Sequence, residues 1–244
     1  MPRSILVLFL SVILAAAALL PACAKAGSAL NGSGKIVDQD VNIADFTAVN
    51  AQGAFQVKIR QAEQFHVVLS TDDNLLNRVV IVLDHNTLKL NIEAPSTFFP
   101  TSLAITIDMP QLAGLNLSGG ASATISGFTS LQPFSLILTD KGTLDGDIEA
   151  GSLNFSLTGG STAVLRGSAT DIILIANAGS QVDLSNLILS KAKVNLDQKT
   201  DAIVNVSGQI DVTLNHESNL FFLGNPIFTN TSVANGSSMS MVKK

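Results

Sequence analysis

Asn154-Phe-Ser-Leu-Thr-Gly-Gly-Ser-Thr-Ala-Val-Leu165 is the stretch that decides the fold. Phe155 and Leu157 alternate with polar neighbours, as on a strand with one buried face, and Gly159 follows where the chain has to turn sharply. The arrangement recurs along the second half of the chain. Strand ends fall at Leu117, Leu138, Leu157, Ile175, Leu196 and Leu214, at intervals of 21, 19, 18, 21 and 18 residues. Two residues before each stands a second apolar residue: Leu115, Leu136, Phe155, Ile173, Val194 and Val212. Two residues after each come Gly119, Asp140, Gly159, Asn177, Gln198 and His216, most of them types that accept the positive φ of a tight corner. Three positions further lies an all-polar column, Ser122, Thr143, Thr162, Ser180, Asp201 and Asn219. Beside it runs a mostly apolar or small one: Ala123, Leu144, Ala163, Gln181, Ala202 and Leu220.

One coil of about 20 residues cannot bury its own apolar face, so coils stack and share a continuous core. The period is too short for a propeller blade of about 40 to 45 residues. The columns therefore predict an all-β protein whose residues 112–226 form a parallel β-helix (a β-solenoid) of six coils. Right-handed crossovers are expected, as for parallel strands generally. The competing fold is an antiparallel sandwich with hairpins every 8 to 12 residues or so. It suits the first half better.

Residues 37–111 read as additional N-terminal strands. Phe55/Val57/Ile59, Phe65/Val67/Leu69, Val79/Ile81/Leu83, Leu88/Leu90/Ile92 and Leu103/Ile105/Ile107 all alternate with period two. Turn-formers such as Gly53, Asp72-Asp73-Asn74, Asp84-His85-Asn86 and Pro110 separate them. No stretch carries a capped 3.6-residue stripe. Residues 227–244 read as a C-terminal tail. Leu220-Phe221-Phe222-Leu223 and Phe228 either cap one end of the stack or form an association face.

The other decisive segment is the start. Met1-Pro2-Arg3 is a short positive region, Ile5 to Leu20 is apolar apart from Ser11, and Leu20-Pro21-Ala22-Cys23 follows. This is the layout of a secretory signal peptide over residues 1–22. The apolar run is shorter than the roughly 20 residues a membrane-spanning helix needs. The tetrapeptide resembles a bacterial lipobox, although Pro21 departs from the usual small or β-branched residue. That resemblance implies lipid attachment at Cys23. Two or three acyl chains anchor stably where one does not. Residues 23–36, rich in Gly, Ser and Ala, read as a flexible tether.

Composition narrows the chemistry. Cys23 is the sole cysteine, so disulfides, thiolate metal sites and a cysteine nucleophile are outside the mature fold. Removing the leader takes only Arg3, leaving 13 basic against 19 acidic residues. An acidic surface without a basic block disfavours nucleic acid. Trp and Tyr are absent, and with them the usual platforms for a base or a sugar ring.

His66, His85 and His216 show no ligand spacing and read as solvated residues. Asp140 to Glu149, with Asp145 and Asp147 between, is the densest acidic stretch, and its carboxylates could approach a hard cation such as calcium. It matches neither the EF-hand loop nor the β-roll nonapeptide. Asp72-Asp73 reads as a turn or helix cap, since adjacent carboxylates usually point apart. No nucleophile elbow, phosphate loop or zinc motif occurs. The sequence calls for no catalytic residue, cofactor or metal. An enzyme acting on polysaccharides is the alternative reading, because β-helices commonly host such sites. Against it, the repeats contain one arginine, Arg166, and the lysines Lys141, Lys191, Lys193 and Lys199 share no column with clustered acids.

Several short motifs occur in a telling order. Gly32-Ser-Gly34 leads to Phe46-Thr-Ala-Val49 and Gly53-Ala-Phe55-Gln-Val57-Lys-Ile59. Asp72-Asp-Asn74-Leu75, Thr87-Leu-Lys-Leu90, Pro110-Gln-Leu112 and Leu117-Ser-Gly-Gly120 follow. Phe221-Phe-Leu-Gly224-Asn-Pro226 and Gly236-Ser-Ser238 close the series. From Gly32 to Lys243 this order resembles the "putative auto-transporter adhesin, head GIN domain" family of bacterial surface lipoproteins. The closing motif lacks the aromatic hydroxyl that the family often carries there. The resemblance implies a β-helical fold and a surface location, and it brings no catalytic residues. The expected protein is thus a non-enzymatic, adhesin-like or envelope-scaffold lipoprotein on the outer membrane or cell surface. Its expected partners are the membrane, through the anchor, and an extracellular glycan or surface protein.

The anchor is directly testable. Cells fed a palmitate analogue should label the wild-type chain and not Cys23→Ala. Equal label on both would remove the lipid from Cys23.

Overall fold

The computed structural model describes residues 29–93 and 98–242. Its first part comprises β1 (Leu30–Asn31), β2 (Ile36–Asp40), β3 (Ala48–Gln52), β4 (Gln56–Gln61), β5 (His66–Asp72), β6 (Val79–Asp84), β7 (Thr87–Ile92), β8 (Phe98–Phe99) and β9 (Leu103–Met109). The second comprises β10 (Gly114–Ser118), β11 (Ser122–Thr129), β12 (Phe134–Leu138), β13 (Thr143–Leu157), β14 (Thr162–Ala176), β15 (Gln181–Leu196), β16 (Asp201–Leu214), β17 (Asn219–Leu223), β18 (Ile227–Val233) and β19 (Ser238–Met241). Among the described residues the only helical segment is a single 3-10 turn, Leu76–Arg78. The protein is an all-β solenoid of about seven turns with additional strands.

Two parallel stacks make the body. One runs β7–β3–β10–β12, then through the C-terminal halves of β13 to β16 and on to β18. The other runs β9–β4–β11, then through the N-terminal halves of β13 to β16, to β17 and β19. The first and second halves of the chain therefore share one solenoid. Spatial order also departs from chain order, because β7 and β9 precede β3 and β4 in the stacks. Antiparallel pairing is confined to this end, where β6 pairs with β7, β5 with β9 and β2 with β5.

Every second residue points inward, so Leu117, Leu138, Leu157, Leu196 and Leu214 form one buried column. Each fully buried side chain of this size contributes roughly 1.5–3 kcal/mol. Phe134 and Phe155 meet edge to face at 6.1 Å between adjacent coils.

The column departs from the sequence reading at one coil. Leu157 is opposite Ala176, not Ile175, and Phe155 is opposite Leu174, not Ile173. Ile173 and Ile175 are outward, 43% and 45% exposed. The cause is the unbroken apolar run Ile172-Ile173-Leu174-Ile175-Ala176. Both phases of the alternation are apolar there, and a slip of one residue exchanges the faces. The next columns move with it: Gln181 replaces Ser180 among the outward residues opposite Thr162, and Val182 replaces Gln181 opposite Ala163.

The corner settles the phase. From β10 onward each coil turns on two consecutive residues at positive φ: Gly119-Gly120, Asp140-Lys141, Gly159-Gly160, Ala178-Gly179, Gln198-Lys199, His216-Glu217 and Asn235-Gly236. Ala178, not Asn177, is thus the first corner residue of its coil. The residue after the pair is a buried hydroxyl in four coils: Ser161, Ser180, Thr200 and Ser218. Three of these donate to the carbonyl three residues earlier, Ser161 to Thr158 at 2.6 Å, Ser180 to Asn177 at 2.8 Å and Thr200 to Asp197 at 2.7 Å.

Two segments outside the predicted repeats hold more structure than the sequence suggested. β18 pairs with β16 and β19 with β17, so residues 227–241, read as tail, add a further coil to the six. Leu30 and Asn31, read as tether, pair in parallel with Phe98 and Phe99.

The register has a clear mutational signature. Leu174→Ala should cost about 2–5 kcal/mol in chemical denaturation. Ile175→Ala should change stability by about 0.5 kcal/mol or less. The opposite ranking would restore the slipped register.

Candidate functional site

Cys23, the signal peptide over 1–22 and the first residues of the expected tether lie outside the described residues. The other candidates are all placed. Each histidine meets aspartate. His66, exposed on β5, has Nε2 3.2 Å from Asp40 and Nδ1 3.8 Å from Asp108. His85, in the β6–β7 turn, has Nδ1 2.7 Å from Asp84. His216 has Nδ1 2.6 Å from Asp197 of the preceding coil. The last partner is far away in sequence, and only the coil register reveals it.

The acidic stretch from Asp140 to Glu149 does not converge on a point. Asp140 sits at a corner, while Asp145, Asp147 and Glu149 take alternate outward places on β13. Arg166, one coil on, grips Asp145 through two nitrogens at 3.0 and 3.1 Å. This hydrogen-bonded ion pair holds the Asp145 carboxyl below the usual range. Asp147 accepts the Gly127 N–H at 3.0 Å. No group of three or more His, Cys, Asp or Glu side chains is placed to hold a metal among the described residues.

The structure does bring together two motifs that are distant in sequence, Gly32-Ser33-Gly34 and Asp72-Asp73-Asn74. Asp72 ends β5 fully buried, and its carboxylate accepts the N–H of Gly34 and of Thr101, both at 2.8 Å. A Cβ on residue 32 would fall 2.4 Å from that carboxylate, so only glycine fits. Ser33 donates its hydroxyl to Asp73 at 2.7 Å and its N–H to the Asn74 side chain at 3.0 Å. Asn74 in turn donates to the Asn31 carbonyl at 2.9 Å. This clamp fastens the N-terminal segment to the solenoid. Burial pushes the Asp72 carboxyl up, but the donors of Gly34, Thr101 and Ser102 outweigh it and leave the group below the usual carboxylate range.

What the chain offers to a ligand are its outer faces. On the second stack the outward residues Ser122, Thr143, Thr162, Gln181, Asp201 and Asn219 stand in register. Their ladder continues into the last coil, with Asn219 donating to Asp201 at 2.8 Å and Ser238 to Asn219 at 2.6 Å. Open troughs cross several strands. One of about 550 Å³ is lined by Ser130, Ser168, Thr170 and Ser190 with Glu149, between Leu131 and Ile188. Another, of about 470 Å³, crosses β7, β3, β10 and β12 on the first stack. A third, of about 220 Å³, mixes Lys191 and Lys193 with Asp171 and Asp211. No helix among the described residues is long and apolar enough to cross a membrane.

Comparison with known proteins agrees with this architecture. A family model described as "Putative auto-transporter adhesin, head GIN domain" matches residues 45–226. No curated protein matches the chain. A "putative adhesin" from Bacteroides fragilis superposes with a TM-score of 0.82 at 18% identity, covering 87% of this chain and 100% of that one. A second, from Parabacteroides merdae, gives 0.73 at 15% identity over 88% and 99% of the two chains. A "putative lipid binding protein" from Parabacteroides distasonis gives 0.70 at 17% identity over 88% and 99%. At these identities the likeness is one of fold.

The clamp makes a prediction about acid. Because folding lowers the Asp72 pKa, its contribution is fully present above the ordinary value of 3.8 and is lost as pH falls through the lowered value. Asp72→Asn should lower the melting temperature at pH 7 by about 3–8 °C. The gap to wild type should shrink in melts below pH 3.8. A gap of the same size at both pH values would show that the carboxylate charge is not what the clamp uses.

Proposed function

The chain belongs to the "Putative auto-transporter adhesin, head GIN domain" family, and on that footing we propose that it is a non-enzymatic, adhesin-like module displayed at the bacterial cell surface. In this proposal a diacylated Cys23 holds it in the envelope, ahead of the clamp at Gly32-Ser33-Gly34. The solenoid presents its long faces outward. The observation that carries the proposal is the ladder on the second stack, where one polar position recurs coil after coil from Ser122 to Ser238. Such a face repeats at the strand spacing of about 4.8 Å and can meet a polymer or a crowded surface at many points. Many weak contacts then add through effective concentration. The acids and the one arginine of the repeats support a binding role over polysaccharide cleavage. Arg166 is occupied by Asp145, and the carboxylates of β13 lie side by side along one strand.

A surface-display assay tests this. Host bacteria producing the wild-type chain should adhere to epithelial cells or mucus better than empty-vector bacteria, and purified chain added in excess should compete. Cys23→Ala should be shed into the medium and lose the effect. If display adds no adhesion to either target, the adhesin assignment falls.

A further inference from the structure

We propose that the trough across β7, β3, β10 and β12 is a binding site for a neutral, hydroxyl-rich glycan lying along the solenoid axis. The inference rests on the adhesin reading and names a ligand class and a place for it.

The trough follows from the register. Parallel pairing sets Lys89, Asn50, Asn116 and Ile137 side by side as one outward column. The neighbouring column, Thr87, Ala48, Gly114 and Ser135, has short side chains, so a floor forms beside a wall of long ones. The β6–β7 turn, Asp84-His85-Asn86, closes one end. The trough is open to solvent along its length, with a volume of about 470 Å³.

The lining chemistry selects the ligand. Asn50 and Asn116 are half-buried, and among the described residues their carboxamides take no part in the side-chain hydrogen bonding of the fold. Each offers two donor hydrogens and an acceptor oxygen in one plane, which suits sugar hydroxyls that both give and accept. The charges already cancel. Asp84 is paired with Lys89 and with His85, and these pairs hold its carboxyl below the usual range. An anionic polymer would meet Lys89 with its charge already countered by Asp84, so a neutral glycan is favoured. Ile137 is 41% exposed at the far end and supplies an aliphatic patch for the C–H face of a ring, in a chain without Trp or Tyr. Successive strands lie about 4.8 Å apart, close to the advance of one sugar unit along an extended polysaccharide. Consecutive sugars thus meet consecutive rungs: Lys89, Asn50, Asn116, Ile137. The other two troughs carry no asparagine in their lining, one having Glu149 on its rim and the other setting Lys191 and Lys193 beside Asp171 and Asp211.

The test uses the full chain on an array of neutral and uronic-acid oligosaccharides, followed by calorimetric titration with the neutral hexasaccharide bound best. Neutral glycans should bind and polyuronates should not. The double variant Asn50→Ala/Asn116→Ala should weaken binding by about tenfold or more, the loss of two or so neutral hydrogen bonds. Gln64→Ala, in the exposed turn between β4 and β5, should bind as wild type does. Ile137→Lys, at an exposed site, is the second blocking variant should the double variant melt early. The inference is overturned if no neutral glycan on the array binds, or if binding survives in every correctly folded blocking variant. Adhesion that persists in the blocking variants and is abolished by protease treatment of the target cells would overturn the glycan site alone, pointing to a protein partner. Glycan binding in a chain that confers no adhesion would instead overturn the adhesin reading alone.

Discussion

The two-residue left-handed corner is the constraint on which this solenoid depends. A coil can stack on its neighbour only if the chain turns at the same place each time, and from β10 onward it turns on a pair of residues at positive φ. For residues other than glycine that conformation costs about 1–2 kcal/mol, and Asp140-Lys141, Gln198-Lys199 and His216-Glu217 bear it at both positions. The offset comes from hydrogen bonds that only a stacked corner can make. The second corner residue donates its N–H to the first corner carbonyl of the next coil: Gly120 to Asp140 at 2.9 Å, Lys141 to Gly159 at 3.0 Å, Gly160 to Ala178 at 3.0 Å. The buried hydroxyls of Ser161, Ser180 and Thr200 tighten the turn from inside. Corner and stack thus stabilise each other, and neither conformation is favourable alone.

A fixed corner pushes variation elsewhere. With Ala176 in place of Ile175, the coils still differ in length by up to three residues, and the extra residues must be absorbed somewhere. They appear as register shifts on the far side, between Ile125 and Phe128, Val164 and Arg166, and Leu184 and Ile188. The backbones crowd at the following bend, where a Cβ on residue 151 would come within 2.1 Å of the Leu131 carbonyl oxygen. The trough between Leu131 and Ile188 opens on this irregular side. Its concavity is a by-product of length differences between coils. The trough over β7, β3, β10 and β12 has another origin, a run of short side chains next to long ones within perfect register.

How much of this could be read from the sequence depended on whether one phase of the alternation was polar. Where it was, as at Phe155-Ser-Leu157 or Val194-Asn-Leu196, the inward residues, the corner and the outward ladder were all legible. At Ile172 to Ala176 both phases were apolar, and the corner was assigned one residue early, to Asn177. The last coil escaped notice because it is an end. With a neighbour on one side only, Ile227 to Val233 are all exposed, and their composition matches a tail. Pairings across coils, such as His216 with Asp197 and Arg166 with Asp145, needed a register that spacing alone did not supply. The clamp was visible only as two separate motifs, since nothing in Gly32-Ser33-Gly34 names Asp72 as its partner.

This division between legible and illegible residues also separates fold from function. Inward positions answer to packing, so any side chain of suitable size and polarity serves, and a pattern suffices to specify them. Outward positions are free of that demand, and their chemistry is set by what the surface meets. A solenoid therefore keeps its shape while Asn50, Asn116 or Ile137 change, provided Val49, Leu115 and Leu136 remain apolar beneath them. The same backbone that makes the corner so restrictive leaves the faces open to variation. A binding surface can thus be rewritten one rung at a time, each outward residue being separated from the core by the strand that carries it.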